Sequence, residues 1–156
     1  MSSRQRAPDR GMDDHAWVYD DAEVDWDELS ELYRIAPLGD KPPEHLRTVF
    51  SNSMFTCFVY RGSRLIGAGR ILADGLDRAY LADVAVHPDH QGRGLGSALI
   101  TELVRLAGDH TKIVMYANPG TEGVYAKLGF LPMNTAMAIW RDRDRAIATG
   151  LLREPD

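Results

Sequence analysis

The sequence predicts a mixed α/β fold, a mostly antiparallel sheet flanked by helices, on three observations. Residues 54–60 and 65–72 are β-branched and aromatic runs joined by Arg61-Gly62-Ser63-Arg64, which reads as an antiparallel hairpin closed by a tight turn. Residues 94–107 carry Leu95, Leu99, Leu103 and Leu106 at spacings of four, four and three, with Ala98 and Val104 beside them. That is the periodicity of a helix with one apolar stripe. From residue 79 onward strands and helices alternate, so hairpins come first and strand–helix–strand units later, the order of a mixed sheet.

The remaining elements follow in order. Residues 16–18 with Tyr19 form a short first strand. Trp26, Leu29, Leu32 and Tyr33 share one helical face, with Asp25 as the cap and Pro37 and Gly39 as the stop. Pro43 suits the first turn of a second short helix that puts Leu46, Val49 and Phe50 on one side. After the hairpin, Asp74-Gly75 makes a turn, and residues 79–86 form a strand of low polarity ended by Pro88, which donates no backbone hydrogen bond. Residues 112–117 resume as a strand, 121–128 form a second crossover helix stopped at Gly129, and 133–140 form a last strand. The run Arg141-Asp142-Arg143-Asp144-Arg145 nearly cancels in charge and begins a solvated helix or tail. These limits divide the chain into a polar, disordered arm over 1–14, one domain over 15–141, and a C-terminal helix or tail over 142–156.

Composition narrows the functions. The 156 residues are 44% hydrophobic and 26% charged, enough for one domain around a single core. A net charge of −5 gives no electrostatic reason to expect nucleic acid or an anionic membrane as partner. The longest apolar runs fall far short of the roughly 20 residues a spanning helix needs, and the first residues lack the apolar centre of a secretory signal. Cys57 is alone, so no internal disulfide forms and a reducing, cytoplasmic location is expected; within its alternating strand it reads as a small buried hydrophobe rather than a nucleophile. His87 and His90 flank Pro88 without a third ligand at metal-binding spacing, so no metal is expected.

One segment carries chemistry. A strand, the loop Val86-His87-Pro88-Asp89-His90-Gln91-Gly92-Arg93-Gly94-Leu95-Gly96 and a strong helix follow one another. Unpaired amides at a helix start, the positive end of its dipole and glycines that admit close approach together make a phosphate site. A dinucleotide fingerprint would need glycine or alanine where Ser97 stands and a tighter turn than the residues between Val86 and Gly92 allow. No Gly-Lys-Ser/Thr closes the loop as in a P-loop.

With Val86-His87-Pro88 followed by Gln91-x-x-Gly94-x-Gly96, the segment resembles motif A of the Gcn5-related N-acetyltransferase superfamily. Asn118 stands seven residues before Tyr125, and Tyr125-Ala126-Lys127-Leu128-Gly129-Phe130 resembles the Tyr-x-Lys-Leu-Gly-Phe signature of that superfamily. The likeness spans residues 54–140. Phe50-Ser51-Asn52-Ser53, Gly69-Arg70, Asp74-Gly75 and Asp83-Val84 further resemble bacterial relatives of the serotonin-type and glucosamine acetyltransferases. The resemblance implies a splayed-sheet fold and an enzyme that uses acetyl-coenzyme A as cosubstrate. It also implies a small primary amine as acceptor, an amino sugar such as glucosamine or an arylalkylamine, and a homodimer. Two other functions fit the same loop: acetylation of protein lysines or N-termini, and a coenzyme A-binding sensor without chemistry.

The same resemblance distributes roles. The backbone of Gln91, Gly92, Arg93, Gly94, Leu95, Gly96 and Ser97 would hold the pyrophosphate, with Arg93 a further charge. Val84, Ala85 and Val86 would lie at the splay and offer a backbone N–H to the thioester carbonyl. Tyr125 matches the general acid, since a phenol with a pKa near 10 can protonate a departing thiolate. Asn118 matches a position that holds the cofactor arm or substrate, where relatives often carry aspartate, and an asparagine cannot be a base. Asp83 is the only carboxylate in an apolar strand and is a candidate base or amine anchor. Strand parity sets it opposite Tyr80 and Ala82, the side expected to face the acceptor, unless a bulge re-aims it. Arg70, Asp74, Asp77, Tyr80 and Tyr116 are expected to shape the acceptor pocket.

Overall fold

A computed structural model describes residues 14–156. The expected disordered arm therefore lies outside the described residues, apart from Asp14, whose carboxylate pairs with Arg61 at 2.9 Å. The described residues form two compact units, divided between Met115 and Tyr116.

The first unit holds a five-stranded sheet in the order β1-β2-β3-β4-β5: His15–Val18, Phe55–Arg61, Arg64–Ala73, Arg78–Val86 and Lys112–Val114. The first three pairings are antiparallel and the last is parallel, as the hairpin-first reading requires. Between β1 and β2 lie α1 (Trp26–Ile35) and α2 (Pro43–Ser51). Asp25 caps α1 by accepting from the amides of Asp27 and Glu28, worth about 1 kcal/mol. Between β4 and β5 lies α3 (Leu95–Leu106).

The core has two layers. Leu29, Leu32 and Tyr33 of α1 and Leu46 and Phe50 of α2 pack with Phe58, Leu65, Ala68 and Ala85 from the sheet. On the other side α3 buries Leu95, Leu99 and Leu103. That helix comes close because β3 presents glycines to it: a Cβ on Gly67 would lie 2.9 Å from Leu99 Cδ1, and one on Gly69 2.7 Å from Leu103 Cδ1 and 3.3 Å from Val84 Cγ2. Cys57 is fully buried, and burial pushes its thiol pKa well up, so it is a core hydrophobe.

Two features of β4 position the site. It pairs with β5 only at Arg78, Ala79 and Tyr80, so residues 81–86 run past the end of β5 without a partner strand on that side. Against β3, Arg70 faces Ala82 and Ala68 faces Ala85, leaving Asp83 and Val84 opposite Gly69 alone. This is a β-bulge.

The second unit holds α4 (Glu122–Lys127), ended at Gly129 with φ 96°, and α5 (Arg143–Ala148), capped by the Asp142 carboxylate on the Arg145 amide. The terminal helix thus forms where the Arg/Asp run is expected to begin one. The last strand over 133–140 does not form: those residues have no regular structure, and Met133, Met137 and Ile139 are exposed. A strand is stable only against a partner that takes its backbone hydrogen bonds, and the second unit contains no strand. The strand expected over 112–117 stops at Val114 for the related reason that its ladder with β4 ends there.

The glycine packing gives a direct expectation. Gly69→Ala should lower the unfolding free energy by about 1–3 kcal/mol, because Leu103 is fully buried and must leave its rotamer to admit a methyl group. Urea unfolding measures this; an unchanged midpoint would show that α3 does not press on β3.

Candidate functional site

The loop from β4 into α3 is built as the sequence suggests. His87 is buried, and its Nδ1 accepts the Asp89 amide at 3.1 Å while its Nε2 lies 2.6 Å from Arg64 Nη2. A single 3-10 turn over Pro88–His90 follows, and the Gln91 side-chain amide donates to the Val86 carbonyl at 2.9 Å. These contacts pin the ends of the loop. Its middle bends through Gly92 (φ 74°) and Gly94 (φ 83°), a left-handed conformation that glycine adopts without cost.

Gly94 is the N-cap of α3 and has no side chain to cap it. The Ala98 amide closes the first helical bond to the Gly94 carbonyl at 3.0 Å, so the amides of Leu95, Gly96 and Ser97 precede the ladder without intrahelical acceptors. No acidic residue stands in the first turn. A Cβ added at Gly92 or Gly94 would meet nothing within 4 Å, so both backbones are open to a ligand. Exposed Arg93 adds a positive charge. Open amides, the helix dipole and a cation fit a diphosphate.

On β4 the bulge gives Asp83 a φ of 56°. It also overturns strand parity. The Asp83 side chain reaches Arg70, which is paired across the sheet with Ala82, so the bulge brings Asp83 to the side of Tyr80 and Ala82. Arg70 Nε donates to Asp83 Oδ2 at 2.7 Å and Lys41 Nζ lies 3.5 Å from Oδ1. Tyr33 donates its hydroxyl to the Asp83 carbonyl at 2.5 Å. Burial, and secondarily the Asp83 charge, raise the Tyr33 pKa well above its ordinary value. Past the bulge, Val84, Ala85 and Val86 lie on the stretch of β4 that outruns β5.

The other expected pocket residues divide. Asp74 accepts from the amides of Leu76, Asp77 and Arg78, bonds that lower its pKa and commit it to the turn. Asp77 pairs with Lys112 at 3.1 Å and Arg78 at 2.8 Å, and the Lys112 bond holds its pKa down. Tyr80 is half-buried on β4, across from Leu72.

In the second unit Tyr125 sits on α4, half-buried, with its ring edge-on to Phe130 at 6.0 Å. Burial raises its pKa above 10.0. Asn118 is exposed, and its backbone carbonyl accepts from the Thr121 amide at 3.0 Å and hydroxyl at 2.7 Å. Tyr116 packs edge-on against Trp140 at 5.2 Å. Among the described residues no group of three or more His, Cys, Asp or Glu could hold a metal ion, and no helix is long and apolar enough to cross a membrane.

Sequence reasoning did not single out Lys41 and Ser53 as partners of this site, nor Tyr33 beyond its helical stripe. The signal available was the tyrosine itself: a phenol on a buried face needs a hydrogen-bond partner.

The model of the acetyltransferase (GNAT) family matches residues 22–130. An uncharacterized N-acetyltransferase of the ycf52-like type from Prochlorococcus marinus is 30% identical over 125 residues, covering 75% of this chain and 69% of that protein. The chloroplastic serotonin N-acetyltransferase 2 of rice, Oryza sativa subsp. japonica, is 32% identical over 126 residues, covering 75% of this chain and 63% of that one. A probable acetyltransferase from meticillin-resistant Staphylococcus aureus superposes with a TM-score of 0.72 at 25% identity, covering 81% of this chain and 98% of that one.

Proposed function

The chain belongs to the acetyltransferase (GNAT) family and is an acetyl-CoA-dependent acyltransferase, and we propose that it acetylates the primary amine of a small molecule, an arylalkylamine or an amino sugar. The observation that carries the donor assignment is the uncapped start of α3, entered through two left-handed glycines. On this reading the amides of Gly92, Arg93, Gly94, Leu95, Gly96 and Ser97 take the pyrophosphate, while the Gln91 amide is engaged by the Pro88 carbonyl at 3.3 Å. The likeness to a serotonin N-acetyltransferase over three quarters of the chain supports an arylalkylamine acceptor.

The chemistry follows from what these groups can do. The neutral amine attacks the thioester carbonyl carbon, and a backbone N–H among Val84, Ala85 and Val86 donates to the oxygen as it gains charge. Cleavage of the carbon–sulfur bond releases a thiolate, which takes the Tyr125 hydroxyl proton; the amine nitrogen gives up its own proton to water, and water returns one to Tyr125. Asn118 has no basic atom, so we assign it to holding the donor arm and assign deprotonation to ordered water. Tyr80, Arg70 and Tyr116 are assigned to the acceptor side.

Release of free coenzyme A with tryptamine, serotonin, glucosamine, spermidine and a lysine peptide tests the acceptor. Stimulation by the arylalkylamines or glucosamine is expected; stimulation by the peptide alone would make the enzyme a protein acetyltransferase, and by none, a binding module. Tyr125→Phe should bind acetyl-CoA normally and lose about 100-fold in kcat. Because burial raises the phenol's pKa above its ordinary value, any alkaline loss of wild-type kcat through Tyr125 should begin at higher pH than for an exposed tyrosine. A wild-type rate retained by the variant would remove Tyr125 from the mechanism.

A further inference from the structure

Asp83 is the only non-glycine residue with positive φ among the described residues, and three separate pieces of chain converge on it. Its carbonyl accepts the hydroxyl of Tyr33 from α1 at 2.5 Å, and Tyr33 is fully buried. Its carboxylate is held on one oxygen by Arg70 of β3 and on the other by Lys41 of the segment between α1 and α2. Arg70 is braced in turn, donating from Nη1 to Ser53 Oγ at 3.3 Å, while Ser53 donates to the Val49 carbonyl at 2.7 Å. Lys41 lies over the Tyr33 ring at 5.9 Å, and the Lys41 carbonyl accepts from Ser30.

A left-handed residue in mid-strand persists only when its surroundings over-determine it. Here the bonds grip both the side chain and the carbonyl of the bulged residue, and so the peptide plane that leads into Val84. From the other face Leu103 fills the space a side chain at position 69 would take. The direction of the Val84 N–H is therefore set by the clamp on Asp83.

We propose that Tyr33, with the Arg70–Asp83 pair, is a positioning device that aims the backbone N–H of Val84 at the thioester carbonyl of the donor, the Ala85 amide being turned to Ala68 by the β3 register. This rests on the reading that a backbone N–H of this stretch meets that carbonyl. Tyr33 does not touch the donor; it acts through Asp83. The clamp also gives Asp83 a role other than base: its carboxylate is engaged by two cations in the folded protein.

The test compares affinities for coenzyme A and acetyl-CoA by titration calorimetry, which needs no acceptor. In the wild type acetyl-CoA should bind about fivefold more tightly, the worth of one net hydrogen bond to the acetyl oxygen. Tyr33→Phe should bring that ratio to within about twofold of unity while the coenzyme A affinity changes less than twofold. Arg70→Met should act in the same direction, and it decides the matter if Tyr33→Phe does not fold. A folded variant with a lower Tm and an unchanged ratio makes the contact structural only and overturns the proposal. A wild type that binds both ligands equally removes the amide contact itself. Wild-type protein that binds neither refutes the donor-site reading and the positioning claim with it, whereas tight wild-type binding with an unchanged ratio in both variants refutes the positioning claim alone.

Discussion

The close approach of α3 to β3 is the constraint on which the first unit depends. Gly67 and Gly69 remove the two side chains that would hold the helix away, and Leu99 and Leu103 occupy the space. With its axis fixed by that packing, the helix presents its start at the end of β4. A further consequence follows at Gly69. It stands alone opposite Asp83 and Val84, so the residue that admits the helix also sits at the bulge. The same short stretch of β3 thus sets the helix start and the course of β4 beyond the bulge, the two parts assigned to the donor's pyrophosphate and thioester.

Electrostatics divides the site in the same way. The start of α3 combines open amides, no acidic residue in its first turn and Arg93 nearby, a field that favours an anion. The side of β4 facing α1 instead carries an internal balance in which Arg70 and Lys41 are set against Asp83 beside the buried phenol of Tyr33. In these partly buried surroundings a carboxylate between two cations, with its own carbonyl bonded, is held in one place. A residue so fixed suits orientation better than proton transfer.

The fold was legible where local patterns carried it. The leucine spacing gave α3, Asp25 and Pro43 marked two helix starts, and the Gly62 turn located the β2–β3 hairpin. The glycine loop was legible for the same reason: its conformation needs glycine at Gly92 and Gly94 wherever the rest of the chain lies. What failed was non-local. Residues 133–140 alternate well enough for a strand, but a strand exists only against a partner, which local pattern cannot supply. Parity put Asp83 on the wrong side because a bulge depends on strand register. The clamp was unreadable because Tyr33, Lys41, Ser53, Arg70 and Asp83 are brought together only by the packing of α1 and α2 on the sheet.

Whether the start of α3 holds the donor's pyrophosphate is read by an amide-resolved NMR titration with acetyl-CoA. Saturable shifts of the Gly92, Gly94, Leu95, Gly96 and Ser97 amides and of Val84 are expected, reproduced without that of Val84 by 3′,5′-ADP extended with the second 5′ phosphate. Saturable binding that leaves the Gly92 to Ser97 amides unmoved would contradict that assignment.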